Sequence, residues 1–315
     1  MNVLITGATG FVGTAVTSKL AVSPDFQVWA GIRESAIALP SGAIPLHMEA
    51  LENPASYTLP SGISVVVHCA ARVHVMRDKS TDPLTEYRKV NVEGTLNLAR
   101  RAVDAGVKRF IFISSIKVNG EKTAPGRPYM ANDPPAPDDP YGISKLEAEL
   151  GLQALAAETG LEVTIIRPVM VYGPGVKGNF LLMSKLVRKG IPLPLGSIQN
   201  KRSLLGIENL VDLIIRCINH PAAANQVFLA ADGMDLSTTD LLHGVAKAMG
   251  RPSRLISFPA SLLRLGAILL GRAEVAQRLL DSLQVDISKT KKLLDWAPPV
   301  SVEEGLKRCF SGKDE

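Results

Sequence analysis

Tyr141 and Lys145, in Tyr141-Gly142-Ile143-Ser144-Lys145, stand four residues apart, so on a helix the phenol and the ammonium share one face. An ammonium beside a phenol favours the phenolate and draws a pKa of about 10 down toward working pH. Tyr141 is therefore a candidate general acid/base for interconverting a carbonyl and an alcohol. Tyr-x-x-x-Lys alone usually marks a solvated helix face, but here Ser114-Ser115 ends an apolar run and adds a hydroxyl able to bond the same substrate oxygen. A second motif, Thr6-Gly7-Ala8-Thr9-Gly10-Phe11-Val12-Gly13, follows a β-branched run and opens a helical pattern. Glycines there let the backbone turn tightly and approach a pyrophosphate, and the helix N-terminus offers unpaired N–H groups and a partial positive charge. A tight βα turn holding no ligand is the bland alternative.

These groups need a scaffold, and apolar runs alternating with helical patterns supply one. The runs Val3–Thr6, Phe26–Ile32, Ile44–Met48, Ile63–Cys69, Phe110–Ser114 and Val163–Arg167 are continuous rather than alternating, as strands covered on both faces must be. Helices are expected at Val12–Ala21, Pro83–Ala105 and Tyr141–Thr159. The order predicts an α/β fold, a Rossmann-type doubly wound parallel sheet over residues 1–170, with ligands at the C-terminal edge of the strands. Residues 171–315 read as a smaller, mostly helical part, with helices near Ile207–Asn219, Thr238–Met249 and Pro259–Leu283; elements near 203–231 are expected to return to the first unit. Thr123–Pro140 contains six prolines, cannot be regular structure, and reads as a functional loop or lid, with a plain surface loop as the alternative.

Composition narrows the class. Among 315 residues, 35 Lys+Arg against 30 Asp+Glu leave a charge of +5, and 46% of the residues are hydrophobic, which argues against disorder. No block of like charge marks a nucleic-acid or membrane patch. Cys69, Cys217 and Cys309 lie far apart without ligand spacing, so neither a metal site nor a disulfide framework is expected. His47, His68, His74, His220 and His243 stand in dissimilar contexts and read as structural. The longest apolar stretch, Leu265–Leu270, is far short of the ~20 residues that span a bilayer. Met1 is followed at once by a strand and the glycine motif, so no secretory leader is expected and the chain reads as cytoplasmic.

The set TGATGFVG, VVHCAA, VNVEGTLNL, FIFISSIKVNG, YGISK and IIRPVMVYGPG resembles the extended short-chain dehydrogenase/reductases, in the nucleotide-sugar epimerase/dehydratase/reductase branch that includes UDP-glucose 4-epimerases. The resemblance covers most of the chain and is strongest to about residue 180. It implies a catalytic set of Ser115, Tyr141 and Lys145, with Ser115 preferred over Ser114 because it lies three positions before the Val of S/T-x-x-V-Y-G. Here the usual Tyr of that pattern is Asn119. It also implies cofactor contacts at Gly7, Thr9, Gly10, Phe11, Val12, Gly13, Ala70, Ala71, Ser114, Tyr141, Lys145 (on the nicotinamide ribose) and Pro168, and from Glu49 to the adenine amine. Asn91 matches a family residue that mainly bonds backbone near the cofactor site. For the substrate it implies Ser115 and Lys117, Asn179 on a phosphate, Leu195 along the uracil and Arg202 on the diphosphate. Arg278 and Asp281 are weak counterparts of its ribose-binding pair. Dehydratases of the branch carry Asp and Glu where this chain has Ile116 and Lys117, which argues against that reaction.

Cofactor choice is read after the second strand, where NAD binders place an acid for the ribose 2′-OH. This chain reads Ala30-Gly31-Ile32-Arg33, and Arg33 suits a 2′-phosphate, so NADP(H) is favoured over NAD(H); a solvated Arg33 is the alternative. The leading expectation is a 4-ketoreductase that uses NADPH to reduce a UDP-4-keto-6-deoxy-N-acetylhexosamine for O-antigen synthesis. The alternative is a UDP-glucose or UDP-N-acetylglucosamine 4-epimerase with tightly bound NAD, and a nucleotide-sensing protein without activity comes last. The resemblance further implies a homodimer through the helices at 83–105 and 141–159.

Overall fold

Alternate residues of the central strands enter two different cores, which is why their sequences read as unbroken apolar runs. Val3 and Ile5 face one core and Leu4 the other; Ile111 and Ile113 oppose Phe110 and Phe112 in the same way. The structure is a computed structural model describing residues 1–34, 38–73 and 82–311. His74 lies outside the described residues.

The first half runs β1 (Asn2–Thr6), α1 (Phe11–Ala21), β2 (Gln27–Ile32), β3 (Ala43–His47), β4 (Val65–His68), α2 (Pro83–Arg88), α3 (Gly94–Asp104), β5 (Arg109–Ile113), α4 (Pro140–Thr159) and β6 (Glu162–Pro168). These bounds differ from the expected ones by a residue or two. One π-helical turn, Lys89–Glu93, joins α2 to α3, so the helix expected over Pro83–Ala105 is interrupted. Asn91 sits in that turn, a local geometry common at functional positions.

The chain continues with β7 (Met170–Tyr172), α5 (Asn179–Arg188), β8 (Arg202–Gly206), α6 (Ile207–Asn219), β9 (Gln226–Ala230), β10 (Asp235–Leu236), α7 (Thr238–Ala248), α8 (Ala260–Leu269), α9 (Ala273–Leu280), α10 (Ser288–Leu294) and α11 (Val302–Cys309). The helix expected over Pro259–Leu283 is two, α8 and α9, parted at Gly271, whose φ of 65° is left-handed.

Seven parallel strands form the main sheet in the order β3-β2-β1-β4-β5-β6-β9. The order reverses between β1 and β4, the switch point at which such sheets open a crevice. α1 and α6 cover one face, and α3 and α4 cover the other. Within 203–231, α6 and β9 pack on the main sheet, whereas β8 pairs with β7 and β10 in a separate three-stranded sheet. That small sheet, α5, α7 and α11 enclose a third core around Tyr172, Phe180 and Leu204.

Thr123–Pro140 has no regular structure of its own apart from its last residue, which opens α4, but it is tied at several points. Thr123 N–H donates to Ser282 O at 2.8 Å, Tyr129 N–H to Gln284 O at 2.9 Å, and Ala136 N–H to Val118 O at 3.0 Å. It thereby straps the 282–286 segment to the edge carrying Ser115.

Candidate active site

Parallel strands bring their C-terminal ends to one edge, and the candidate residues gather there. Gly7–Gly13 follows β1, Arg33 follows β2, Glu49 follows β3, Ala70 and Ala71 follow β4, Ser114 and Ser115 follow β5, and Pro168 ends β6. Gly7 is obligatory: its φ is +67°, and a Cβ there would stand 2.7 Å from Ala70 N. Gly10, the N-cap of α1, provides no side-chain cap, whereas Asp139, Ser237 and Ser301 cap α4, α7 and α11. Thr9 and Gly10 are exposed, and Phe11 and Val12 half-buried, around this uncapped helix N-terminus. Such a cradle fits a dinucleotide pyrophosphate. Arg33 and Glu49 are both exposed on the same edge.

Ser115 caps a short 3-10 turn, Ile116–Val118, and its Oγ accepts from Lys117 N–H at 3.2 Å. The start of α4 presses on that turn, since a Cβ on Gly142 would lie 2.8 Å from Lys117 O. Gly142 therefore lets Tyr141 come beside Ser115. Tyr87 of α2 flanks Tyr141, their rings 6.0 Å apart and edge-on. Asp139 fixes the helix start by accepting from Gly142 N–H at 2.6 Å.

One turn on, Lys145 is buried; its Nζ donates to Ile113 O at 2.8 Å and lies 4.4 Å from the centroid of the Phe112 ring. Burial draws its pKa down to about 8, with Glu149 and Cys69 pulling the other way. Contrary to the expectation from helix spacing, the Tyr141 pKa is raised rather than lowered. Burial pushes the phenol above its ordinary value, the Asp139 carboxylate and the neighbouring Tyr87 phenol push it further, and the Ser115 hydroxyl offsets part of this.

Ser114 and Ser115 have different partners. The buried Ser114 hydroxyl donates to Glu149, leaving Ser115 as the hydroxyl beside Tyr141. Asn91 accepts from Arg72 N–H at 2.8 Å and donates to Arg72 O and Ser144 Oγ at 3.0 Å, so its amide clamps the loop after β4 to α4. His68 is likewise satisfied, between Thr6 Oγ1 at 2.6 Å and Thr95 Oγ1 at 2.9 Å.

The positions assigned to substrate are more scattered. Lys117 Nζ is held by Glu121 at 2.5 Å and by Asp139. Arg202 opens β8, and its guanidinium donates to Asp281 O at 3.0 Å; burial draws its pKa down. Leu195 is half-buried, and its carbonyl accepts from Thr239 Oγ1 at 2.6 Å. Asn179 opens α5, and its side chain lies outside the described residues. Arg278 pairs with Glu274 at 3.3 Å and Asp281 with Arg264 at 2.5 Å.

Sequence reasoning missed the buried polar group behind Lys145. Arg167 of β6 pairs with Glu149 of α4 at 2.5 Å and donates to Asn119 Oδ1 at 2.9 Å. An arginine closing an apolar strand was the available signal, since a buried guanidinium requires partners.

The model of the NAD dependent epimerase/dehydratase family matches residues 3–231. A UDP-glucose 4-epimerase of Vibrio cholerae is 51% identical over 309 residues, covering 98% of this chain and 94% of that protein. The UDP-glucose 4-epimerase of Thermotoga maritima, solved with UDP-glucose, superposes with a TM-score of 0.77 at 24% identity, covering 98% of this chain and 97% of that one. RMD from Pseudomonas aeruginosa, solved with NADPH, gives a TM-score of 0.75 at 22% identity, covering 98% of each chain. At these identities the two structures speak to the fold.

Proposed function

The chain belongs to the NAD dependent epimerase/dehydratase family, and within it we propose that it inverts the configuration at C4 of a UDP-hexose, using a tightly held NAD. This reading reverses the order of preference drawn from sequence, which placed the 4-ketoreductase first. It rests on the 51% identity to a UDP-glucose 4-epimerase along nearly the whole chain.

Gly7, Gly10, Phe11, Val12 and Gly13 would hold the pyrophosphate. A nicotinamide cofactor held there would supply the hydride acceptor and donor for C4. The side chains handle the matching proton. Tyr141 takes the proton of the C4 hydroxyl as the alcohol becomes a ketone and gives it back when the other face is reduced. Ser115 bonds the same oxygen and keeps it within reach of the phenol. Lys145 contributes a positive charge on the helix turn behind them. Arg202 and Leu195 are assigned to the nucleotide half of the substrate, and the homodimer to α3 and α4, where Leu150 stands 56% exposed.

A second reading has one specific observation behind it. Arg33, exposed directly after β2 where NAD binders carry an acid, favours NADPH and hence the 4-ketoreductase acting on a UDP-4-keto-6-deoxy-N-acetylhexosamine. One experiment separates the two. The purified protein is denatured to identify any released nucleotide, and the native protein is incubated with UDP-glucose and with UDP-N-acetylglucosamine. Released NAD and equilibration with the C4 epimer are expected. No epimer, together with stoichiometric loss of NADPH on adding fresh UDP-4-keto-6-deoxy-N-acetylglucosamine, would establish the reductase instead.

A further inference from the structure

α8 contains no buried residue. Leu262, Leu265, Ile268 and Leu269 are 52%, 54%, 55% and 77% exposed, and Leu270 just beyond is also 77% exposed. Positions 262, 265 and 269 recur at helical spacing, so these side chains form one continuous apolar stripe facing outward. Ile256, 54% exposed, extends it on the N-terminal side. Isolated exposed leucines need no explanation, but a contiguous stripe on a helix contributing nothing to a core does.

The charges around the stripe indicate what covers it. Residues 251–280 carry Arg251, Arg254, Arg264, Arg272 and Arg278 against a single acid, Glu274. Arg251, Arg254, Arg264 and Arg272 are exposed, although Arg264 also pairs with Asp281 at 2.5 Å. The basic end of α5, with Lys185 and Lys189 exposed, adjoins this region, where Arg254 donates to Gly190 O at 3.4 Å. A second copy of the chain fits poorly, because a two-fold contact across the stripe would set these arginines against their own counterparts. The phosphate-lined exterior of a nucleic acid offers no extended apolar surface for five aliphatic side chains. An anionic lipid surface satisfies both features, taking the leucines at the acyl boundary and the arginines at the headgroups.

We propose that α8 and the segment leading into it form a peripheral docking face for an anionic lipid bilayer. The helix lies in the interface: no described helix is long and apolar enough to cross a membrane. The face is independent of the sugar reaction but adjoins the substrate half, since Arg264 grips Asp281, whose carbonyl accepts from Arg202.

The test is flotation of the full-length protein with vesicles of phosphatidylcholine alone and of equimolar phosphatidylcholine and phosphatidylglycerol. Recovery is expected with the anionic vesicles at low salt, falling at high salt and on neutral vesicles. Leu265→Ser/Leu269→Ser should lower the partition about tenfold or more, and Arg251→Glu/Arg272→Glu should do so on anionic vesicles alone. Both pairs are exposed, and unchanged melting and turnover would show that the fold survives. Three outcomes overturn the proposal: no flotation of the unmodified protein, equal flotation on both vesicle types, or a Leu265→Ser/Leu269→Ser variant that floats normally but loses self-association in sedimentation.

Discussion

Arg167 and Glu149 close a bidentate ion pair in the interior, Nη2 to Oε2 at 2.5 Å and Nε to Oε1 at 3.0 Å, one helix turn beyond Lys145. Ser114 donates to the same carboxylate and Asn119 accepts from the same guanidinium, and all four residues are buried. The pair ties α4 to β6 and β5, the elements carrying Tyr141, Lys145 and Ser115. Asn119 stands where the related pattern has a tyrosine, so in this chain that position completes the polar group.

Breaking the pair strands a buried charge. Arg167→Met should destabilise the protein by about 3–5 kcal/mol, while adding Glu149→Met should recover much of that loss because no lone charge then remains. Urea unfolding of the single and double variants measures this. Equal losses in both would mean that packing, rather than the stranded carboxylate, sets the cost.

Tyr141→Phe removes the acid and little else, since the ring keeps its edge contact with Tyr87. Turnover is expected to fall about 10²- to 10⁴-fold, the range of a single general acid/base, with dinucleotide affinity unchanged. Steady-state kinetics and a cofactor fluorescence titration provide both readouts. Undiminished turnover would remove Tyr141 from the mechanism.

The sheet was legible because strands buried on both faces cannot hide: Val65–Val66–Val67 serve two cores at once and read as one apolar block. Ser115, Tyr141 and Lys145 were legible because short-range spacing places them. What escaped depends on partners distant in sequence. Nothing near Arg167 shows that Glu149 will meet it, and nothing near Lys117 shows that Glu121 and Asp139 will take its ammonium. α8 and α9 were read as one helix because a lone glycine is tolerated within helices; only the left-handed backbone of Gly271 reveals the break. The direction of the Tyr141 shift escaped for a similar reason. Shared helix spacing guarantees proximity, but the carbonyl of Ile113 receives the ammonium.

Lys145 should trade stability for function. Its folded-state pKa of about 8 lies below the 10.5 of a free lysine, so the unfolded chain holds more protons between those values and stability rises with pH across that window. Below pH 8 the fold carries the full cost of the buried ammonium. Lys145→Met keeps the aliphatic stem and is expected to stabilise the protein at pH 7 by on the order of 1–3 kcal/mol, the lower end allowing for the lost hydrogen bond to Ile113. The gain should shrink toward pH 10, and turnover should disappear. Denaturation at both pH values checks the sign; a variant less stable at pH 7 would contradict it.

His68 controls the acid limb. Burial, with the nearby charge of Lys145 adding to it, draws the imidazole down to about 3 from its ordinary 6.5. Thr6 and Thr95 occupy both ring nitrogens, so a proton gained there finds no acceptor without disturbing one of them. Between about pH 6.5 and pH 3 the unfolded chain takes up this proton and the folded one does not. Stability is therefore fully present above 6.5 and falls as pH drops through that window. His68→Gln should cost about 1–3 kcal/mol at pH 7 through imperfect pairing with the two threonines. It should also flatten the acid dependence, so that the variant and the unmodified protein converge as pH falls toward 4. Urea midpoints followed across that range measure both effects, and an acid limb of unchanged steepness would move the responsibility from His68 to the carboxylates.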